Sequence, residues 1–72
     1  MEKIIIETEY IKLQDLLKFA SLVSTGGEAK IAVAGGEVTV NGEVCTQRGR
    51  KLRPGDTVVY RGRELTPAYA DQ

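Results

Sequence analysis

Histidine is absent from the 72 residues, cysteine occurs once, at Cys45, and neither charge sign is in excess, with ten basic and ten acidic side chains. Without an imidazole, general acid/base chemistry near neutral pH falls to a shifted Lys, Cys or carboxylate, and no such group is spaced against a nucleophile. So short a chain also has little capacity to enclose a substrate pocket on the order of several hundred Å³. A lone thiol closes no internal disulfide, and without His no zinc site of ordinary ligand composition can be assembled. Cys45 reads as a small, half-buried packing residue. No apolar run approaches the roughly 18 residues of a membrane helix. Residues 1–6 have neither a long apolar core nor a small-residue cleavage site. The expectation is a cytoplasmic, monomeric protein that is not an enzyme and holds no cofactor or metal.

What is present is a folded composition, 42% hydrophobic and 28% charged, in a chain sized for one domain that buries roughly 60% of its unfolded surface. No repeat or low-complexity segment interrupts it. The charge is unevenly placed. Residues 1–47 hold four Lys against seven acids, net −3; residues 48–63 hold six basic residues against one acid, net +5; residues 64–72 hold two acids, net −2. A chain neutral in total but basic in one segment carries a directed field.

Ile4-Ile5-Ile6 is a β-branched run that predicts a short first strand. Leu13, Leu16, Leu17 and Ala20 then recur at the i, i+3, i+4, i+7 spacing of a helix burying one face, with Lys12, Gln14, Asp15 and Lys18 outward. No good capping residue precedes Leu13. Thr25-Gly26-Gly27-Glu28 is a capping box that starts a second helix at about Gly26. Ala29, Ala32 and Val33 form its small-residue stripe, and Gly35-Gly36 stops it. The linker of residues 21–24 makes the two helices a tight corner, stapled by Leu22 and Val23. Val38-Thr39-Val40 before Asn41-Gly42 predicts a two-residue hairpin with Glu43-Val44-Cys45 as its return arm. Arg53-Pro54-Gly55-Asp56 suits a type II turn into a last strand of residues 57–60. Arg61-Gly62-Arg63 turns or breaks that strand. Residues 1–66 are expected to form the single domain and residues 67–72 a short flexible tail.

This ordered set resembles the ribosomal protein S-four-type RNA-binding domain over residues 11–60. Lys12-Leu13-Gln14 takes the family's helix opening, Glu28-Ala29-Lys30 its second-helix signature, Gly36 the following Gly, Val38-Thr39-Val40-Asn41-Gly42 the hairpin and Gly55-Asp56 the closing pair. Ser24-Thr25-Gly26-Gly27 with Ala29-Lys30, together with Arg48-Gly49-Arg50-Lys51-Leu52, is similar to the small stand-alone bacterial YaaA/YbcJ-like proteins. Gly26 stands where the wider family often has Arg, and Gln14 where it often has Asp. The resemblance implies an α+β fold, two short helices forming a corner packed on a small, mainly antiparallel sheet. It also implies a non-catalytic partner of structured, ribosomal RNA.

Residue chemistry suits that implication. The start of the second helix presents unpaired N–H groups, Gly26-Gly27 leaves room for a phosphate, and Lys30 lies one turn on. Arg48, Arg50, Lys51 and Arg53 occupy a flexible loop able to converge on a phosphate backbone, the guanidinium forks bidentately and the ammonium as a point charge. Lys12 and Lys18 extend the track along the first helix. Tyr10, Phe19, Tyr60 and Tyr69 could stack on bases, but a core position is expected for Phe19 and strand packing for Tyr60. The alternative is a β-grasp-like protein-interaction adaptor without RNA binding, since the hairpin and the Pro-Gly-Asp turn suit such sheets too.

Overall fold

The computed structural model describes residues 1–70. Its elements are β1 (Glu2–Ile5), β2 (Ile11–Lys12), α1 (Leu13–Phe19), α2 (Gly26–Ala34), β3 (Val38–Val40), β4 (Glu43–Val44), β5 (Lys51–Leu52), β6 (Val58–Tyr60) and β7 (Arg63–Ala68). Five strands form one sheet in the order β1-β7-β6-β3-β4, and β2 pairs with β5 in a separate two-stranded ribbon. Only the β1–β7 pairing is parallel, so the fold is the expected α+β corner on a mainly antiparallel sheet.

The apolar periodicities place the core. Leu13, Leu16 and Leu17 of α1 are fully buried and meet Ala29, Ala32 and Val33 of α2, whose small side chains let the helices approach closely. Beneath them lie Val38, Val40, Val58, Tyr60 and Leu65, the inward positions of three neighbouring strands, as the two-residue period requires. Tyr60 is 3% exposed, the expected packing role, and Cys45 is buried rather than half-buried.

Turns form where the dipeptides predict them. Asn41 and Gly42 have φ of 52° and 85° and join Val40 to its partner Glu43, the primed geometry that matches strand twist. Arg61 and Gly62, with φ of 50° and 77°, do the same between Tyr60 and Arg63. Gly55, at φ 101°, occupies the left-handed position of the Arg53–Asp56 turn, closed by Asp56 N–H on the Arg53 carbonyl at 3.0 Å.

Two expectations are corrected. Residues 66–68, expected to begin or lie within a frayed tail, belong to β7, where Ile4 faces Pro67 and Ile5 faces Ala68 across the parallel pairing. Pro67 is fully buried. It lies beyond Leu65, the residue of β7 that faces the first residue of β6, so its missing N–H removes nothing from that ladder. Tyr69 packs partly against the core, and positions 71 and 72 of the expected tail lie outside the described residues. Phe19, expected in the core, is 65% exposed. At about 100° per residue it falls roughly a quarter-turn off the stripe of Leu13, Leu16, Leu17 and Ala20, in line instead with Lys12 and Asp15.

Candidate functional site

The absent cap before Leu13 is answered from a distance. Lys12 occupies the N-cap position of α1 and makes no side-chain cap bond. In its place the Leu13 N–H donates to the Arg50 carbonyl at 2.9 Å and the Gln14 N–H to the Arg48 carbonyl at 3.0 Å. The segment expected to be a free loop is therefore fixed by its own backbone: two carbonyls satisfy a helix start, which would otherwise leave donors unpaired. All four of its cationic side chains remain exposed.

The β2–β5 ribbon sorts side chains by face. Ile11 faces Leu52, both buried, while Lys12 faces Lys51, both exposed. Directly opposed residues of an antiparallel pair lie about 5 Å apart at Cβ, where like charges destabilise. Two lysines thus leave the ribbon from directly opposed positions on its exposed face. Arg53 lies two residues beyond Lys51, and both reach the ring of Tyr10: Lys51 Nζ lies 4.9 Å and Arg53 Cζ 5.9 Å from its centroid. These are attractive cation–π distances.

The far end of the segment is locked by the hairpin tip. Asn41 Nδ2 donates to Asp56 Oδ1 at 3.1 Å, the Thr57 N–H donates to Asn41 Oδ1 at 2.9 Å, and the Arg53 N–H donates to Asp56 Oδ2 at 2.9 Å. That last bond, then the Asn41 amide and the Arg50 and Arg53 charges, holds the Asp56 carboxyl below its ordinary range against an opposing effect of partial burial. The sole acid of residues 48–63 is engaged in holding backbone.

The fold divides the basic segment. Lys12, Arg48, Arg50, Lys51 and Arg53 gather around the start of α1, with Tyr10 among them. Arg63 instead grips Glu2 through both carboxylate oxygens, one bond at 2.7 Å, which lowers the Glu2 carboxyl and raises the Arg63 guanidinium from their usual values. Arg61 lies 5.2 Å over the Tyr60 ring. Lys18 sits in the last turn of α1, 3.3 Å from Asp15, an exposed pair of small energetic weight.

At α2, Thr25 caps as expected: its Oγ1 accepts the Glu28 N–H at 3.2 Å. A Cβ built on Gly26 would meet nothing within 4 Å, and one on Gly27 only Thr25 Oγ1 at 3.7 Å, so neither glycine is required by packing. Lys30 is exposed. Among the described residues no hydrogen bond or ion pair joins Thr25, Gly26, Gly27 or Lys30 to the patch around α1, and the two regions are related through the packing of α2 on α1. No group of three or more metal-ligating side chains occurs among the described residues, and no helix is long and apolar enough to cross a membrane.

The ribbon is what residue patterns missed. A pairing of two residues with two has no periodic signal, and only the isolated apolar Leu52 among cations hinted at an anchor.

Known proteins resemble this chain in sequence. Residues 4–66 match the S4 domain family. A Bacillus subtilis protein named "Probable ribosome maturation protein RlbA" is 46% identical over 57 residues, covering 79% of this chain and 80% of that protein. An Escherichia coli protein named "Putative RNA-binding protein YbcJ" is 39% identical over 56 residues, covering 78% of this chain and 80% of that protein. With the helix corner, the Asn-Gly hairpin and the Gly-Asp turn all in place, the chain belongs to the S4 domain family.

Proposed function

We propose that this protein binds structured RNA without chemically altering it, through the cationic surface at the start of α1, and that the RNA is ribosomal. The observation that carries the reading is the Lys12–Lys51 pair: two like charges directly opposed across a ribbon with no acid between them, a local electrostatic penalty that a polyanion relieves. Arg48, Arg50 and Arg53 supply guanidinium forks on a backbone already ordered, so little further chain entropy is lost on binding. Thr25, Gly26, Gly27 and Lys30 provide a second phosphate contact at the start of α2, where the helix dipole favours an anion and the open glycines admit one. Lys18 flanks it. Recognition by shape and phosphate suits a module that presents its charges on a helix corner. The ribosomal assignment draws on the Bacillus subtilis relative, whose name is that of a ribosome maturation protein.

The test is titration of small- and large-subunit ribosomal RNA fragments by fluorescence anisotropy over a salt series. Engagement of about four to six phosphates gives a slope of log affinity on log salt of about −3 to −5. Arg50→Ala with Lys51→Ala lowers that slope by about 1.5 to 2. A flat salt response, or unchanged binding in the double variant, overturns the reading.

A further inference from the structure

Beside the cationic patch lies an open groove of about 590 Å³ whose apolar walls are Ile5, Ile6, Ile11, Tyr10 and Phe19. Phe19 is 65% exposed and Ile5 50% exposed, and both line the same groove, so their apolar surface is contiguous there. Tyr10 and Lys12 belong to both features: each lines the groove, Tyr10 is flanked outside it by Lys51 and Arg53, and Lys12 faces Lys51 across the ribbon. We infer that this groove receives an unpaired nucleobase of the bound RNA, with the adjoining phosphate on Lys12 and Lys51. The inference rests on the RNA-binding function proposed above and names what part of the RNA the surface reads.

The chemistry of the lining selects that occupant. Two aromatic rings and three Ile side chains offer apolar contact to a base, and base–aromatic stacking tolerates any base because each has a π face. Glu7 and Asp15 also line the groove. Asp15 is already paired with Lys18 at 3.3 Å, but the Glu7 carboxylate would be desolvated without a partner under a hydrocarbon ligand, whereas a base presents edge N–H donors to it. The same two carboxylates repel phosphate from the groove itself, which sets the polarity: base inward, phosphate outward to the ammonium pair. A fully paired helix keeps its bases stacked and cannot fill the groove, so occupancy requires a loop, bulge or end.

The test compares a hairpin RNA whose loop holds 2-aminopurine with a fully paired duplex of equal phosphate count, at one salt concentration, against the full chain and its Phe19→Ala and Ile5→Ser variants. Both substitutions fall on exposed side chains, and circular dichroism checks that the fold persists. The expected result is quenching of the 2-aminopurine on binding, tighter binding of the hairpin than of the duplex, and loss of about fivefold or more of hairpin affinity in Phe19→Ala. The salt slope stays unchanged, because no phosphate contact is removed. Equal affinity for hairpin and duplex, with Phe19→Ala and Ile5→Ser both without effect, overturns the inference while leaving RNA binding intact. Failure of the unmodified protein to bind either RNA overturns the proposed function and this inference with it.

Discussion

Lys12→Glu should make the protein more stable and worse at binding RNA. In the native chain a cation occupies the N-cap position of α1, where the helix dipole disfavours it, and faces a second cation, Lys51, across the ribbon. Reversing the charge changes both interactions in the same direction. A charge at a helix terminus is worth about 0.3–1 kcal/mol and a cross-strand charge pair about 0.2–1 kcal/mol. Both sites are exposed and screened, so the lower ends apply, and because reversal turns each repulsion into an attraction each counts about twice, for a combined gain of about 1 kcal/mol. For a domain of this size that raises Tm by about 4–8 °C. Lys12 makes no side-chain cap bond whose loss would offset the gain. Thermal and denaturant unfolding in low salt measure it, and repetition at 1 M salt, where the Debye length is about 3 Å, should remove most of it. The same variant loses one phosphate contact, which weakens RNA binding about tenfold at 0.1 M salt and lowers the salt slope by about one. A destabilised variant, or a stabilised one that binds RNA as before, refutes the reading of the Lys12–Lys51 pair as repulsion retained for a polyanion.

Gly26→Ala introduces a Cβ into open space and removes backbone freedom from the unfolded chain, so it should stabilise by about 0.5 kcal/mol; anisotropy should show weaker RNA binding if a phosphate approaches that position, and unchanged binding removes the α2 contact from the site. Leu52→Ala empties a fully buried anchor and should destabilise by about 2–5 kcal/mol in urea unfolding, with RNA affinity falling further than the lost stability explains because the basic segment is released. Asp56 and Glu2 both have folded-state carboxyls below their ordinary values of 3.8 and 4.5. Their contribution is fully present above those ordinary values and is lost as pH falls through the lowered ones, so urea midpoints should hold steady above about pH 5 and decline below pH 4. Asp56→Asn should flatten part of that decline; an unaltered profile would show that the turn does not depend on the carboxylate.

Legibility in the sequence followed the range of the interaction. The capping box at Thr25, the Asn41-Gly42 turn, the Pro54-Gly55 turn and the Leu13, Leu16, Leu17 stripe are local and periodic, and each element formed where its residues predicted. Residues 66–68 do not read as a strand because Pro67 marks a chain break in most contexts, and only the distant partners Ile4 and Ile5 make it part of one. Phe19 departs from expectation because an aromatic near an apolar stripe is usually core. The angular offset that exposes it is computable from sequence, but what it faces is not. The basic segment was visible as composition, whereas its attachment to α1 depends on carbonyls of Arg48 and Arg50, and a backbone acceptor leaves no trace in residue identity.

That attachment separates buried or hydrogen-bonded residues of the family pattern from the side chains proposed to meet RNA. Asn41 and Asp56 spend their side-chain hydrogen bonds on each other, on Thr57 and on the Arg53 backbone; Leu13 and Ala29 are fully buried. These positions determine where the chain runs. Lys12, Arg48, Arg50, Lys51 and Arg53 contribute backbone to the fold through carbonyls, amides or strand pairing, while their side chains stay exposed. Changes in those five side chains can therefore retune the proposed RNA contact without moving the scaffold, since the bonds that position the segment use their main chain and the side chains of other residues. A protein with this corner and a different set of charges at these five positions should keep the fold and lose the phosphate track.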